Sequence, residues 1–408
     1  MNYFNKNNVN FFVIALILLI GSFIAITRAS NFSDGDSYSI LLPFLNYFDE
    51  GIYNPSRGAY GHPIPELIIG FIAFLFGTPY SNLFCFLCFF LSNIILFKTF
   101  INKKEYLYLY LLIVFSNFNL LFDNTNSIDY PIALLFFSLG VFFLKKNYFF
   151  YSSIFFALCI ASSANFSIFI YPIIFIFFVE EIFKGNFKNF LLIIFITTAI
   201  GLIFYFPVFK TNNYTLNLLE IPFITDSNLG EGWYGGPPLK FEYLAPRFFY
   251  KIYQLIGVFS IFIFIFNFKK FLNYFFSLNK ANLILSSTIF INLFIYFLMP
   301  TKFLLINPFL LFLYIVSFTE FKKKILFLII IFNLLQWIIS YEVLNIKHKY
   351  DNICAPVVAV SANVDFSIKF GNLVEYFLHK KDYAECYSGA MGKYSYEFKN
   401  GLPLRLAH

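Results

Sequence analysis

Arg28-Ala-Ser-Asn-Phe-Ser-Asp34-Gly35-Asp36-Ser-Tyr38 opens a stretch that closes on Tyr53-Asn-Pro-Ser-Arg57-Gly-Ala-Tyr-Gly-His62-Pro63-Ile-Pro65-Glu66, and long apolar runs lie on both sides of it. Asp34, Asp36, Arg57, His62 and Glu66 are among the ionisable side chains inside it. Ionisable groups held at a membrane surface cost desolvation energy and add no packing, so the cluster reads as a functional site. The bland alternative is a solvated loop between two helices, which would need neither Asp-Gly-Asp nor His-Pro-x-Pro-Glu.

The rest of the chain supplies the membrane. With 59% hydrophobic residues, 65 phenylalanines and 12% charged residues, it cannot cover a soluble globule with polar surface. It is read as an all-α polytopic membrane protein. The net charge of +7 does not point to nucleic acid, because the cations sit in short clusters between apolar runs. Their role there is orientation. Lys6, Lys98, Lys103 and Lys104, Lys145 and Lys146, Lys184 and Lys188, Lys269, Lys270 and Lys280, and Lys322 to Lys324 recur at the spacing of successive helix pairs and mark the cytoplasmic side. Pro63, Pro65 and Glu66 open an apolar run, Ile64 to Gly77, that falls short of the roughly 20 residues a span needs. If it crossed, every later lysine cluster would change sides. Residues 64 to 78 are therefore read as a juxtamembrane or re-entrant helix on the outer face. About eleven crossings remain between Val9 and Tyr341.

This topology divides the chain into a transmembrane domain, 1–341, and a small extracytoplasmic C-terminal domain, 342–408. The first outer loop with its juxtamembrane helices is 28–80, and the second outer loop is 210–250. All four arginines, Arg28, Arg57, Arg247 and Arg405, then face outward, where a planar guanidinium suits a bidentate grip on phosphate or carboxylate. Tyr38, Leu41, Leu42, Leu45 and Phe48 recur at helical spacing after Asp36, as in an amphipathic helix lying on the bilayer. Glu231-Gly-Trp233-Tyr234-Gly-Gly-Pro-Pro carries aromatic faces between glycines, suited either to stacking on a sugar or to interfacial anchoring. Lys302, in Met299-Pro-Thr-Lys302, is a lone outer cation for which lipid phosphate is a natural partner. Cys85, Cys88 and Cys159 lie in apolar runs as small buried hydrophobes, whereas Cys354 and Cys386 share the oxidising side and are expected to pair.

Short inner N-terminus, first span, acidic outer loop with juxtamembrane helices, short later loops and outer C-terminus together resemble the GT-C class of membrane glycosyltransferases, such as protein O-mannosyltransferases and aminoarabinose transferases. Asp34-Gly-Asp-Ser-Tyr38 looks like the acidic motif of that class's first outer loop. Pro55-Ser-Arg-Gly-Ala-Tyr-Gly-His-Pro-Ile-Pro-Glu66 looks like its proline-containing juxtamembrane segment, with His62 where members usually carry a lysine. Pro300-Thr-Lys302 looks like its lysine-containing outer turn.

The resemblance implies an integral protein of the inner or plasma membrane that moves a sugar from a polyprenyl-phosphate donor to an acceptor glycan, lipid or protein outside, by single displacement. Asp36, with Asp34 as the other candidate, would be the catalytic carboxylate. Arg57, Arg247 and Lys302 would hold the lipid phosphate, and His62, Glu66, Trp233 and Tyr234 the sugar or acceptor. No cofactor is implied, although Asp34 and Asp36 could share a divalent metal. A polysaccharide polymerase or ligase acting on lipid-linked substrate, and a transporter or flippase, are the alternatives.

Overall fold

The computed structural model describes residues 6–31, 61–76, 78–101, 106–211, 257–275, 307–342, 394–399 and 402–407, together with isolated positions between 40 and 56 and between 241 and 291. Its helices are α1 (Lys6–Asn31), α2 (Pro63–Phe76), α3 (Thr78–Phe100), α4 (Leu107–Ser116), α5 (Phe118–Asp123), α6 (Asp129–Lys145), α7 (Phe149–Ser162), α8 (Ser167–Phe183), α9 (Lys188–Thr211), α10 (Val258–Phe266), α11 (Phe268–Phe275), α12 (Asn307–Glu320) and α13 (Lys323–Glu342). Among the described residues, Tyr80–Phe100, Ala164–Phe183 and Lys188–Thr211 are long and apolar enough to cross a membrane. The outward face of α9 is apolar, with Phe195 72% and Ile203 69% exposed, a surface that only lipid would solvate without penalty.

The reading as all-α holds for the helical bundle but not for the C-terminal segment. There β1 (Tyr394–Lys399) pairs antiparallel with β2 (Leu402–Ala407), with Tyr396 opposite Arg405. The signal was in the sequence: Asn400-Gly401 between two alternating segments is a strong hairpin signal. Cys354 and Cys386 lie outside the described residues.

Lysines collect at one end of the bundle. Lys145, in the last turn of α6, donates to the Thr99 carbonyl at the end of α3 and sits 5.4 Å from the Phe100 ring centroid. Lys323, at the start of α13, lies 4.7 Å from the Tyr106 ring and Lys270 5.8 Å from that of Phe321. These rings face the cations with their negative faces. Asp129 heads α6 and Lys145 ends it, so the helix carries its charges in the sense that its dipole favours.

Small residues bring the helices close where lipid offers no hydrophobic drive. At the crossing of α6 and α7, the Phe156 ring fills the place of a Gly140 side chain, 2.4 Å from where a Cβ would stand, and Ser152 Oγ donates to the Gly140 carbonyl at 2.9 Å. Phenylalanine fills the interior between them. Phe137 meets the rings of Phe156, Phe166 and Phe312 with centroids 5.6 to 6.4 Å apart, a range in which tilted and edge-on pairs attract.

A break between α4 and α5 is closed by the C-terminal helices. Asn117 is extended (ψ 116°), ends α4 and caps α5 by accepting from the Leu120 amide at 3.0 Å. Its Nδ2 donates to Tyr314 Oη at 3.0 Å. Carbonyls freed at the end of α4 accept from α13, Ile113 from Asn333 Nδ2 (3.2 Å) and Ser116 from Trp337 Nε1 (2.7 Å). In hydrocarbon each such group left unpaired would cost several kcal/mol.

The helix α2 positions the candidate site. Its 14 residues rise about 21 Å, less than the roughly 30 Å of a hydrocarbon core. The residues that flank it meet the segment 127–129. His62, just before α2, lies against Asp129, while Ser81 and Asn82, at the start of the helix that follows, bond to Ser127. The helix thus stays at the end of the bundle opposite the lysines. Phe44 covers its outer face, edge-on to Phe71 at 6.1 Å and against Gly70.

Candidate functional site

At the end away from the lysines, a polar loop between α5 and α6 is buried and rigidly bonded. Asn124 Nδ2 donates to the Leu120 carbonyl (2.7 Å), Ser127 Oγ to Asn82 Oδ1 (2.6 Å), and Asn82 Nδ2 to the Ala25 carbonyl of α1 (3.1 Å). That frame fixes Asp129 at the head of α6. The Asp129 side chain is fully buried, yet neither carboxyl oxygen has a hydrogen-bond partner among the described residues.

His62 faces it. Nδ1 lies 3.0 Å from the Ser162 carbonyl at the end of α7 and 3.5 Å from Asp129 Oδ2. A carbonyl only accepts, so Nδ1 carries the hydrogen and Nε2 turns its lone pair elsewhere in the neutral ring. Nε2 is buried and unpartnered, as is Ser163 Oγ, one residue beyond the carbonyl that holds the ring. Buried polar atoms without partners are few in a folded protein. Apart from Glu181 Oε2 on α8, those among the described residues gather on Asp129, His62 and Ser163, from three elements. Together they offer acceptor atoms and one hydroxyl to a ligand rich in hydrogen-bond donors.

Glu66 lies beside this pair and is fully engaged. Its carboxylate accepts from the Ser56 amide (2.9 Å), the His62 amide (2.6 Å), the Ser56 hydroxyl and the Tyr53 hydroxyl. Four donors in place of water account for its burial. Burial first, and the Glu66 charge second, push the Tyr53 hydroxyl well above the usual tyrosine range. Tyr53 is therefore a permanent donor.

The loop that Glu66 gathers closes through Gly61, which has φ +56°, and a Cβ there would stand 2.8 Å from Val208 Cγ2 of α9 and 3.1 Å from Pro55 Cβ. Alanine at 61 is expected to cost about 1–2 kcal/mol for the left-handed backbone, with the contacts adding to it. Gly185, at φ +76° with nothing within 4 Å, meets the backbone cost alone. Thermal unfolding in detergent should place Gly61→Ala below Gly185→Ala; the reverse order would mean that the loop does not seat on α9.

Of the residues singled out from the sequence, the structure brings His62 and Glu66 together. Asp34, Asp36, Arg57, Arg247, Lys302, Trp233 and Tyr234 lie outside the described residues. Sequence reasoning missed Asp129, Ser163, Tyr53 and Ser56. For Asp129 a signal existed: Asp129-Tyr-Pro131 puts an acid close to a proline at the head of an apolar run, as Pro65-Glu66 does within its own. Cys85, Cys88 and Cys159 are buried free thiols, and among the described residues no group of three or more His, Cys, Asp or Glu could hold a metal ion.

The fold is similar to that of ArnT from Cupriavidus metallidurans bound to undecaprenyl phosphate, with a TM-score of 0.57 and 12% identity over 89% of this chain and 68% of that one. The apo state of ArnT from the same organism gives a TM-score of 0.50 and 13% identity over 75% of this chain and 59% of that one. At this identity the likeness is one of fold, and it agrees with the GT-C resemblance seen in the sequence. No protein-family model matches the chain, and no curated protein matches it significantly.

Proposed function

We propose that this integral membrane protein transfers a sugar from a polyprenyl-phosphate donor to an acceptor hydroxyl on the extracytoplasmic side. The observation that carries the reading is the buried His62–Asp129 pair, with its unfilled acceptor atoms, at one end of an apolar bundle. The fold shared with ArnT supports the substrate class, because that protein was crystallised with undecaprenyl phosphate. A donor with a long apolar tail must be met between helices, and its sugar at the polar end.

In this reading the acceptor oxygen attacks the anomeric carbon, the bond from that carbon to the lipid phosphate breaks, and polyprenyl phosphate leaves with inversion. The acceptor proton passes to Asp36, with Asp34 orienting the acceptor or sharing a metal. Asp129 and His62 Nε2 hold the hydroxyls of the acceptor or sugar, and Trp233 and Tyr234 stack on the ring. Arg57, Arg247 and Lys302 neutralise charge as it develops on the leaving phosphate.

The test is turnover by purified protein of a polyprenyl-phosphate-linked sugar, read as release of polyprenyl phosphate. Movement of the intact lipid between leaflets with no release would replace the enzyme by a flippase. Extension of a lipid-linked glycan by whole repeats would favour a polymerase.

Sidedness has its own check. In a background without native cysteines, a cysteine after Lys104 is expected to resist a membrane-impermeant reagent in intact cells, while one after Tyr350 reacts. Labelling of the Lys104 site from outside would invert the orientation.

A further inference from the structure

We infer that Glu66 is the positioning residue of the buried pair: its carboxylate, on the first turn of α2, gathers Tyr53, Ser56 and His62 and fixes the backbone from which His62 reaches Asp129. The inference rests on the proposed transfer reaction for its kinetic consequence, but not for its geometry.

Glu66 is 1% exposed, and no cation among the described residues is recorded against it. Four protein donors replace water around it, three of them on Oε1 and one, Tyr53, on Oε2. Oε1, the oxygen that holds the His62 amide, is thereby filled. Its effect runs through the His62 amide. That amide is the first of the donors left unpaired at the N-terminus of α2, and Pro63 directly after it brings none. Glu66 therefore holds the His62 backbone from below while the Ser162 carbonyl holds the ring from above at 3.0 Å. Between these two points the imidazole keeps one tautomer, with Nε2 free for a ligand.

Glutamine separates this role from direct contact with substrate. Its amide oxygen can take the place of Oε1 and accept from the Ser56 and His62 amides, while its NH2 can donate to the Tyr53 hydroxyl oxygen. Alanine removes every partner. We therefore expect Glu66→Ala to lower kcat about 10²-fold, the scale of a small misplacement of a reacting group. The KM for the donor lipid should stay unchanged, and Glu66→Gln should recover kcat to within a few-fold of the parent.

A second readout needs no activity. Labelled histidine in the full chain in detergent gives imidazole signals that report tautomer, and His62→Gln assigns the one from His62. Glu66→Ala should move that signal, and Glu66→Gln should leave it in place. An unmoved His62 signal in Glu66→Ala overturns the inference, as does a Glu66→Gln variant as inactive as Glu66→Ala with the His62 signal unchanged. If Glu66→Ala does not fold, Tyr53→Phe removes a single donor and should move the signal in the same direction by less; no movement there overturns it too. Absence of turnover in the parent would refute the transferase reading and leave the spectroscopic arm to decide the positioning role.

Discussion

Asp129→Asn is expected to lower transfer from a lipid-linked sugar by roughly 10²-fold while leaving the protein at least as stable as the parent. The two halves of this expectation come from one observation, a fully buried carboxyl group whose oxygens have no hydrogen-bond partner among the described residues. Burying a carboxyl group whose oxygens accept no hydrogen bond opposes folding, and asparagine replaces it with a non-ionisable group of nearly the same size. A residue kept for packing would not be built this way. Activity should fall because the amide presents one acceptor oxygen where the carboxylate presents two, and because His62 loses the neighbour 3.5 Å from its Nδ1. Steady-state turnover and a melting curve on the same sample check it. A variant that melts earlier and transfers normally would make Asp129 a structural residue.

Asp36→Asn is expected to have the larger effect, a fall of about 10² to 10⁴ in turnover with donor lipid still bound. Asp36 directly precedes the amphipathic run of Tyr38, Leu41, Leu42 and Leu45, so helix-end amides can fix its side chain, whereas Asp34 adjoins flexible Gly35. Near-normal transfer by Asp36→Asn with loss in Asp34→Asn would exchange their roles. Near-normal transfer by both would remove the Asp-Gly-Asp segment from the chemistry and leave Asp129 as the carboxylate to examine as base.

What could be read beforehand followed the physical range of each signal. Span length and lysine clusters are properties of contiguous sequence, so the helices α3, α6, α8 and α9 were visible as apolar runs closed or preceded by Lys98, Lys145, Lys184 and Lys188. The short run after Pro63 stood out by length alone, and the residues flanking it, His62 and Ser81, meet Asp129 and Ser127. The site was legible only on its local side. His62 and Glu66 sit four residues apart and drew notice together, yet their roles as ligands for a sugar did not anticipate that Glu66 would be filled by Tyr53 and Ser56. Asp129 and Ser163 were passed over because their importance arises from burial against distant helices. An Asp heading a helix is otherwise the ordinary complement of its dipole. The C-terminal hairpin was missed for the opposite reason, since its Asn-Gly turn is local but was overlooked within a tail of ordinary composition.

The interrupted helix at Asn117 bears on how the chain is made. A ribosome delivers residues 107–123 long before residues 314–337, and the partners that close the break lie 197 to 221 positions downstream. Until they arrive, the exposed carbonyls and the Asn117 amide have to be accommodated by water or by the insertion machinery. The first half of the molecule therefore cannot complete its own interior at the moment of synthesis, and the last helices act as a late fastening. Chains cut short before Asn333 would be caught with that break unsealed, which makes them natural prey for membrane quality control.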